Sequence, residues 1–335
     1  MARGRKRDYD ARVGFAKEGD WVPLRARAPR FGRPFVLLLG LAAVAASATV
    51  ALAASPSPTY IYWANFGNGS GTTIGRANVN GSGVNQRFIS GASAPEYVAV
   101  YGNYIYWDND VGAGSIGRAK INGTDVKENF ITGLSCPTGI AVNASHIYWS
   151  NTNCSSTGTT IGRASINGSG VNTSFITGAS APEGLAVNAS YIYWANWGDG
   201  TGTTIGRANV NGSGVNQSFI TGASAPTGIA INGTSIVWAN CGGSNCPVGG
   251  ATIGEASLDG TGVNESFITG AAGPCGVAIT RSSVYWSNRN VGSGTTIGEA
   301  SINGTKANQS FITGASAPCG IAVATPAVKK PKKKH

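Results

Sequence analysis

One tryptophan recurs along most of the chain, and its spacing constrains the fold more than any other feature of the sequence. Each recurrence lies within four short β-rich runs, and an Asn-Gly or Asp-Gly pair separates the third run from the fourth. Such pairs favour the tight turns of antiparallel hairpins. Four antiparallel strands per repeat are typical of a propeller blade, so the sequence predicts an all-β, six-bladed propeller. The six copies, at intervals of 44, 42, 45, 44 and 48 residues, are Trp63, Trp107, Trp149, Trp194, Trp238 and Trp286.

The motif around this tryptophan, Tyr62-Trp63-Ala64-Asn65 in the first copy, resembles the YWTD repeat of the low-density-lipoprotein-receptor class B propellers. In every copy it is followed by Ile-Gly-Arg or Ile-Gly-Glu and then by the turn pair. The resemblance covers residues 57–325 and implies a six-bladed propeller in a bacterial-type secreted member of that class. The family's Asp is replaced by Asn in all six copies. Asn accepts backbone hydrogen bonds as Asp does and also donates, so we expect the same structural role.

The order of the runs predicts how the ring closes. The first copy begins with the second strand of a blade, and residues 320–324 form a first strand with no partner in their own copy. We therefore expect this last strand to pair with the strand that begins at Tyr60, which removes an exposed sheet edge.

Charge is concentrated at the two ends of the chain. The formal net charge is +10, but residues 1–34 carry ten basic and four acidic residues, and five lysines lie in the C-terminal tail. The part between them holds ten basic and eleven acidic residues. A nearly neutral body lacks the clustered cations that bind nucleic acid, so no nucleic-acid partner is expected. With 50 glycines and only 12% charged residues, a helical bundle is also excluded.

An apolar run at residues 35–54 follows the basic segment 1–34 and ends in Ala51-x-Ala53. This order is typical of a signal peptide, and twenty apolar residues are also long enough for an uncleaved membrane anchor. Either alternative predicts that the propeller is extracytoplasmic, secreted or anchored at its N terminus. The tail 326–335 is expected to be solvated, and an alternative role is contact with anionic cell-wall polymer or lipid.

All six cysteines follow the apolar run, which favours an oxidising compartment. Cys275 and Cys319 occupy the same position in consecutive repeats, so a disulfide would fasten the closing strand. Cys136 and Cys154 flank one predicted hairpin, which should bring them together as a second pair. Cys241 and Cys246 share one inserted loop and are expected to pair within it, with a zinc site as the alternative. Because the only histidines are His146 and His335, we expect neither a metal nor another cofactor.

Candidate site residues fall on one face of the predicted propeller, where loops join second to third strands and lead into the inner strands. We call it the loop face. Its Gly-rich loops contribute Phe66, Asp110, Trp197, Asp199 and Arg289. Its second set follows the repeated proline at the channel mouth: Glu96, Thr138, Glu183, Thr227, Cys275 and Cys319.

Each candidate has two interpretations. Glu96 and Glu183, two blades apart, are interpreted as solvated carboxylates, with a polar-ligand or cation site as the alternative. Trp197 is either a packed loop residue or an exposed platform for a sugar. Asp199 lacks the other acidic ligands of a calcium loop.

These observations favour a non-enzymatic, monomeric binding or scaffold propeller whose loop face engages a protein or a glycan. One alternative is a propeller enzyme resembling lyases or lactonases, with its site at the channel mouth. Another is a structural component of the cell envelope. No catalytic constellation is evident, because His146 is isolated on a predicted hairpin turn.

Overall fold

The computed structural model describes residues 60–111, 114–152, 157–243 and 251–324. The chain divides into two units, residues 1–53 and residues 54–335, and every described residue belongs to the second. Among the described residues, no helix has the length and apolar character needed to cross a membrane. The predicted basic segment 1–34, apolar segment 35–54 and tail 326–335 lie outside the described residues.

The described residues form six four-stranded antiparallel sheets, which are the blades of a propeller. Blade 1 contains β24 (Pro318–Ala324), β1 (Tyr60–Asn65), β2 (Thr73–Asn78) and β3 (Asn85–Ser90). Blade 2 contains β4 (Val98–Tyr101), β5 (Tyr104–Asn109), β6 (Ser115–Lys120) and β7 (Lys127–Ile131). Blade 3 contains β8 (Pro137–Val142), β9 (His146–Asn151), β10 (Thr160–Ser165) and β11 (Asn172–Thr177).

The other three blades repeat this plan. Blade 4 contains β12 (Pro182–Val187), β13 (Tyr191–Asn196), β14 (Thr204–Asn209) and β15 (Asn216–Thr221). Blade 5 contains β16 (Pro226–Ile231), β17 (Ser235–Asn240), β18 (Thr252–Ser257) and β19 (Asn264–Thr269). Blade 6 contains β20 (Pro274–Ile279), β21 (Ser283–Asn288), β22 (Thr296–Ser301) and β23 (Asn308–Ile312). Short 3₁₀ turns occupy the loop face at Gly67–Gly69, Gly198–Gly200 and Asn290–Gly292.

The last strand closes the ring, as the sequence predicts. β24 is the inner strand of blade 1 and pairs antiparallel with β1, with Tyr60 opposite Ala324 and Tyr62 opposite Ala322. The strand begins at Pro318, two residues earlier than expected, with a register shift between Trp63 and Asn65. Closure leaves β1 with a neighbour on both sides.

Side chains that point alternately to the two sides of the second strand in each blade form the interfaces between blades. Successive side chains of a strand point to opposite sides. In β1, Tyr62 packs against Ile105 and Trp107 of blade 2, whereas Trp63 packs against Tyr285 and its neighbours in blade 6. All six repeated tryptophans are fully buried. Burial of about 150–250 Å² for each indole corresponds to roughly 4–6 kcal/mol as an upper bound.

The repeated Asn, which stands where the YWTD motif has Asp, uses both ends of its amide. Asn65 Nδ2 donates to the carbonyl oxygen of Gln86 at 2.9 Å and to Thr73 Oγ1 at 3.0 Å. Its Oδ1 accepts the backbone N–H of Ser316 at 3.1 Å. The amide therefore ties β1 to the outer strand of its blade and to the loop before β24. A carboxylate in this position could accept the hydrogen bond from the Ser316 N–H but could not donate one to the carbonyl oxygen of Gln86.

The arginines on the third strands of blades 1 to 4 pack against aromatic rings. The guanidinium of Arg76 lies 4.5 Å from the centroid of Tyr60 and 4.0 Å from that of Phe88. Arg118 and Arg207 each repeat this pairing with two rings, and Arg163 lies 3.9 Å from the centroid of Phe175. These cation–π contacts secure the edges of the blades.

Candidate functional site

A ring of six residues surrounds the propeller axis at the loop face. Each follows the proline before an inner strand, and the pairing of Pro137 with Asn151 shows that this end of the strand lies beside the loop face. All six ring residues are buried. The ring consists of Glu96, Thr138, Glu183, Thr227, Cys275 and Cys319.

Four members of the ring are engaged in structural contacts. Thr138 Oγ1 lies 3.1 Å from Ser150 Oγ, and Thr227 Oγ1 donates to the carbonyl oxygen of Cys275 at 3.0 Å. Cys275 and Cys319 form a disulfide between blades 6 and 1, with their Cα atoms 4.9 Å apart, which confirms the predicted pairing. The two threonines predicted as binding residues thus satisfy their hydroxyls within the fold.

The other predicted cysteine pairs are only partly described. Cys136 and Cys241 are both in disulfides. Their predicted partners, Cys154 and Cys246, lie outside the described residues.

Glu96 of blade 2 contacts the loop of blade 6 that carries Arg289. Its Oε1 forms an ion pair with Arg289 Nη1 at 3.2 Å, and the Arg289 guanidinium lies 4.5 Å from the centroid of the Phe66 ring. Three predicted site residues from three blades therefore meet at the loop face. Burial raises the pKa of Glu96, and the positive charge of Arg289 opposes that rise.

Asp108 and Tyr97, which the repeat does not predict as site residues, complete this part of the site. The Asp108 carboxylate accepts the backbone N–H of Tyr97 at 2.6 Å and that of Glu96 at 3.0 Å. In blade 3, Ser150 Oγ performs the same task for the N–H of Gly139. Burial, followed by the negative charge of Glu96, raises the pKa of Asp108 well above its usual range.

Tyr97 stands where the inner strands of the other five blades have glycine. Its ring is 6% exposed, and its hydroxyl lies 3.9 Å from Cys275 Sγ. Gly320 of β24 packs directly against the Tyr97 backbone, with no room for a Cβ. Tyr97 and Asp108 are both visible in the sequence as departures from the repeat. Only blade 2 has Asp after the repeated Trp, and only blade 2 has a residue other than glycine at the position of Tyr97.

The charge of Glu96 also acts on Glu183 and Asp110. Burial raises the pKa of Glu183 well above its usual range, and the charges of Glu96 and Asp110 add to the rise while Arg289 opposes it. Burial also raises the pKa of Asp110 to about 7, with a further contribution from Glu96. The interpretation of Glu96 and Glu183 as solvated carboxylates is therefore wrong, because both side chains are at least nine-tenths buried.

Trp197 and Asp199 lie on the loop face outside the group of charged residues formed by Glu96, Asp108, Asp110, Glu183 and Arg289. Trp197 is half-buried and packs against Ala225 and Cys241. It thus resembles a packed loop residue more than an exposed platform. Asp199 is exposed and occupies the left-handed position of its 3₁₀ turn, with φ of 55°, as does Asn68 in blade 1. A short polar side chain is suited to that conformation.

The fold is that of a six-bladed β-propeller with four-stranded antiparallel blades. A chain from the crystal structure of a nidogen/laminin complex aligns with a TM-score of 0.63 and 17% identity, covering 79% of this chain and 98% of that one. TolB from Acinetobacter baumannii aligns with a TM-score of 0.57 and 12% identity, covering 82% and 68%. A gluconolactonase from Xanthomonas campestris aligns with a TM-score of 0.48 and 15% identity, covering 67% and 76%. At these identities the likeness concerns the fold alone.

No protein-family model and no curated protein sequence matches the chain.

Proposed function

We propose that the protein is an exported, non-enzymatic binding propeller that engages a protein or a glycan through its loop face. The proposal rests on the exposure and backbone conformation of Val291. Its side chain is 53% exposed, and its backbone has φ of 56°. This left-handed conformation is unfavourable for a β-branched residue. The equivalent positions in blades 1 and 4 hold Asn68 and Asp199, which adopt it readily.

A strained and exposed apolar residue at a loop tip favours a role in recognition rather than in folding. The loop face displays a second exposed valine, Val111, which is 55% exposed. Loops on a rigid frame are common sites of binding. Blade 1 supports the Val291 loop, since Asn68 of blade 1 contacts this loop at Gly292.

The arrangement of reactive groups favours binding over catalysis. His146 begins β9, whose other end, Asn151, lies at the loop face. Five residues of extended strand, about 17 Å, therefore separate it from that face. The two ring cysteines are paired with each other. These positions support a binding role for the cluster at the axis.

The experiment compares capture of partners by the full-length chain and by loop-face variants. Val291→Asn with Val111→Ser should reduce capture of cell-surface proteins or of arrayed glycans. The same variants should not lower the melting temperature, because Asn relieves the backbone strain at position 291. Val215→Ser is the matched control, since Val215 is 43% exposed in a turn on the opposite face. Equal capture by wild type and the double variant would contradict the proposal.

Export is part of the proposal and rests on the apolar segment 35–54 and the paired cysteines. Protease added to intact cells should digest the protein if it is displayed outside the cytoplasm. Full protection in intact cells, with none found in the medium or the periplasm, would contradict export. Release of the protein by a high-salt wash would support contact between the lysine tail and an anionic surface.

A further inference from the structure

A glutamine on the outer strand ties three of the blades to the blade before them. In blade 1, the indole Nε1 of Trp63 donates to Gln86 Oε1 at 3.0 Å. Gln86 Nε2 then donates to the carbonyl oxygen of Thr313 in blade 6 at 2.9 Å. Gln217 and Gln309 make the same two kinds of hydrogen bond in blades 4 and 6. The amide therefore accepts from its own blade and donates to the neighbouring one.

Blades 2 and 5 have a glutamate at this position. Trp107 Nε1 donates to Glu128 Oε2 at 3.2 Å, and Trp238 Nε1 donates to Glu265 Oε2 at 3.1 Å. One carboxyl oxygen thus replaces the glutamine Oε1. The other oxygen, Oε1 of each glutamate, is buried and has no hydrogen-bond partner in the part of the chain that the structure describes. A buried polar atom without a partner is costly to the fold.

The unpartnered oxygen of Glu128 lies where the donor nitrogen of the glutamine lies in blade 1. A Cβ added at Gly314 would be 3.6 Å from Gln86 Nε2, and a Cβ added at Gly91 would be 3.5 Å from Glu128 Oε1. Gly91 follows Ser90, the last residue of β3. By this equivalence, Glu128 Oε1 faces the carbonyl oxygen of Ser90 across the interface between blades 1 and 2.

Glu265 repeats this arrangement between blades 4 and 5. A Cβ added at Gly222 would be 3.6 Å from Glu265 Oε1, and Gly222 follows Thr221, the last residue of β15. Glu265 Oε2 accepts a second hydrogen bond, from Asn240 Nδ2 at 2.9 Å. The oxygen that faces the preceding blade is therefore the one left free to carry a proton.

Two oxygen atoms that face each other need a proton between them. A carbonyl oxygen only accepts hydrogen bonds, and so does an ionised carboxylate. A protonated carboxyl group has an O–H that donates, as the glutamine Nε2 does. Burial raises the pKa of Glu128, and the side chains of Trp107 and Asn109 oppose that rise.

Charged neighbours do not set the ionisation of Glu128. None of the charged residues on β3, β5, β6 and β7 forms an ion pair with it among the described residues or contributes to the shift of its pKa. Around Glu265, the charged residue on β15, β17 and β18 is Glu255, which lies opposite Asn264 in its ladder. The charged residues on the strands around Glu128 are Arg87, Asp108, Arg118, Lys120 and Lys127.

We propose that Glu128 and Glu265 are pH-sensitive ties between blades, in which a protonated Oε1 donates to the carbonyl oxygen of the preceding blade. Loss of the proton removes this hydrogen bond and leaves two oxygens that repel each other. The two interfaces are three blades apart in a six-bladed ring, so they lie on opposite sides of it. A rise in pH therefore loosens the ring along one line, between blades 2 to 4 and blades 5, 6 and 1. The device is independent of the binding role of the loop face.

The test compares melting temperatures of the full-length chain and its single variants at pH 4 and pH 8. Glu128→Gln supplies a donor at every pH, so it should melt roughly 2–4 °C above wild type at pH 8. Because the pKa of Glu128 is raised in the folded chain, the tie is complete below the ordinary glutamate pKa of about 4.3 and is lost as the pH rises through the folded value. At pH 4 the two proteins should therefore melt within about 1 °C of each other. Glu265→Gln should behave in the same way.

The reciprocal variant is Gln217→Glu, which should lower the melting temperature at pH 8 but not at pH 4. Glu299→Gln is the control for loss of a negative charge, since Glu299 lies on β22, opposite Asn308. Carbon-13 NMR of the glutamate carboxyl groups should show one signal that titrates above the ordinary range and disappears in Glu128→Gln.

Three results would overturn the inference. An equal gain in melting temperature at pH 4 and pH 8 would show that glutamine merely packs better. No gain at pH 8 would show that Oε1 needs no donor. A Glu128 signal that titrates in the ordinary range would show that the tie is absent near neutral pH.

Discussion

At the scale of single residues, each buried tryptophan depends on a glycine on the neighbouring strand. Trp194 lies directly opposite Gly206 in the β13–β14 ladder, and a Cβ at Gly206 would overlap the indole ring. The same pairing joins Trp63 to Gly75 and recurs in every blade. The Ile-Gly-Arg or Ile-Gly-Glu motif is thus one half of a two-residue unit whose other half is the tryptophan.

Replacing one of these glycines should therefore destabilise the protein. We expect Gly206→Ala to lower the free energy of unfolding by at least about 2 kcal/mol, or roughly 5 °C in melting temperature, because the tightly packed indole cannot move aside. Gly233→Ala is the matched control, since a Cβ there meets no atom within 4 Å and the backbone is not left-handed. Similar melting temperatures for the two variants would show that the indole can shift.

The repeat predicted which residues are structural but not how deeply the site is buried. The tryptophans, the Asn positions and the ring itself follow from spacing, because each recurs six times. Spacing does not report depth, so it does not predict that Glu96 and Glu183 are buried. It does not predict Tyr97 and Asp108 as site residues either, because each departs from the pattern in one copy only. A single departure becomes informative only when the structure shows that the two residues are in contact.

At the scale of elements, the closing strand differs from the other inner strands in how far it lies along the chain from its partner strand. β24 is separated from its partner β1 by more than 250 residues, whereas the other inner strands join their partners through short turns. The Cys275–Cys319 disulfide attaches it to β20, across a sequence separation of 44 residues. In the loop-entropy model such a crosslink contributes about 4 kcal/mol. Repeat register was sufficient to predict this pairing, because equivalent positions of adjacent blades lie side by side.

Truncation tests whether the closing strand holds the ring together. Removal of residues 320–335 deletes most of β24 and should abolish cooperative unfolding. In this variant β1 loses its inner neighbour, and the disulfide at Cys319 no longer attaches an inner strand to blade 6. Removal of 326–335 alone spares every described residue and should leave the melting temperature within about 2 °C of wild type. Circular dichroism during heating distinguishes the two. Identical curves would show that blade 1 is stable without its inner strand.

At the scale of the whole molecule, the buried carboxylates at the axis link stability to pH. Burial raises the pKa of Glu96, Asp108, Asp110 and Glu183. In the unfolded chain these groups lose their protons near pH 4, whereas Asp110 in the folded protein retains its proton up to about pH 7. Between these values unfolding releases protons, so a rise in pH favours the unfolded chain.

The propeller should therefore be more stable at pH 5 than at pH 8. We expect the melting temperature to fall by several degrees over this interval, and Asp110→Asn to reduce that fall. Asp199→Asn is the control, because Asp199 is exposed and Asn occupies the equivalent position in blade 1. A melting temperature that rises from pH 5 to pH 8 would show that the axial carboxylates are not retained in their protonated form.

Ring closure also dictates the order in which a newly made chain can reach its final structure. β1 is synthesised first among the strands, yet its inner neighbour is the last to leave the ribosome. Until that moment blade 1 has three strands and an open edge, so the ring can close only after β24 has been made.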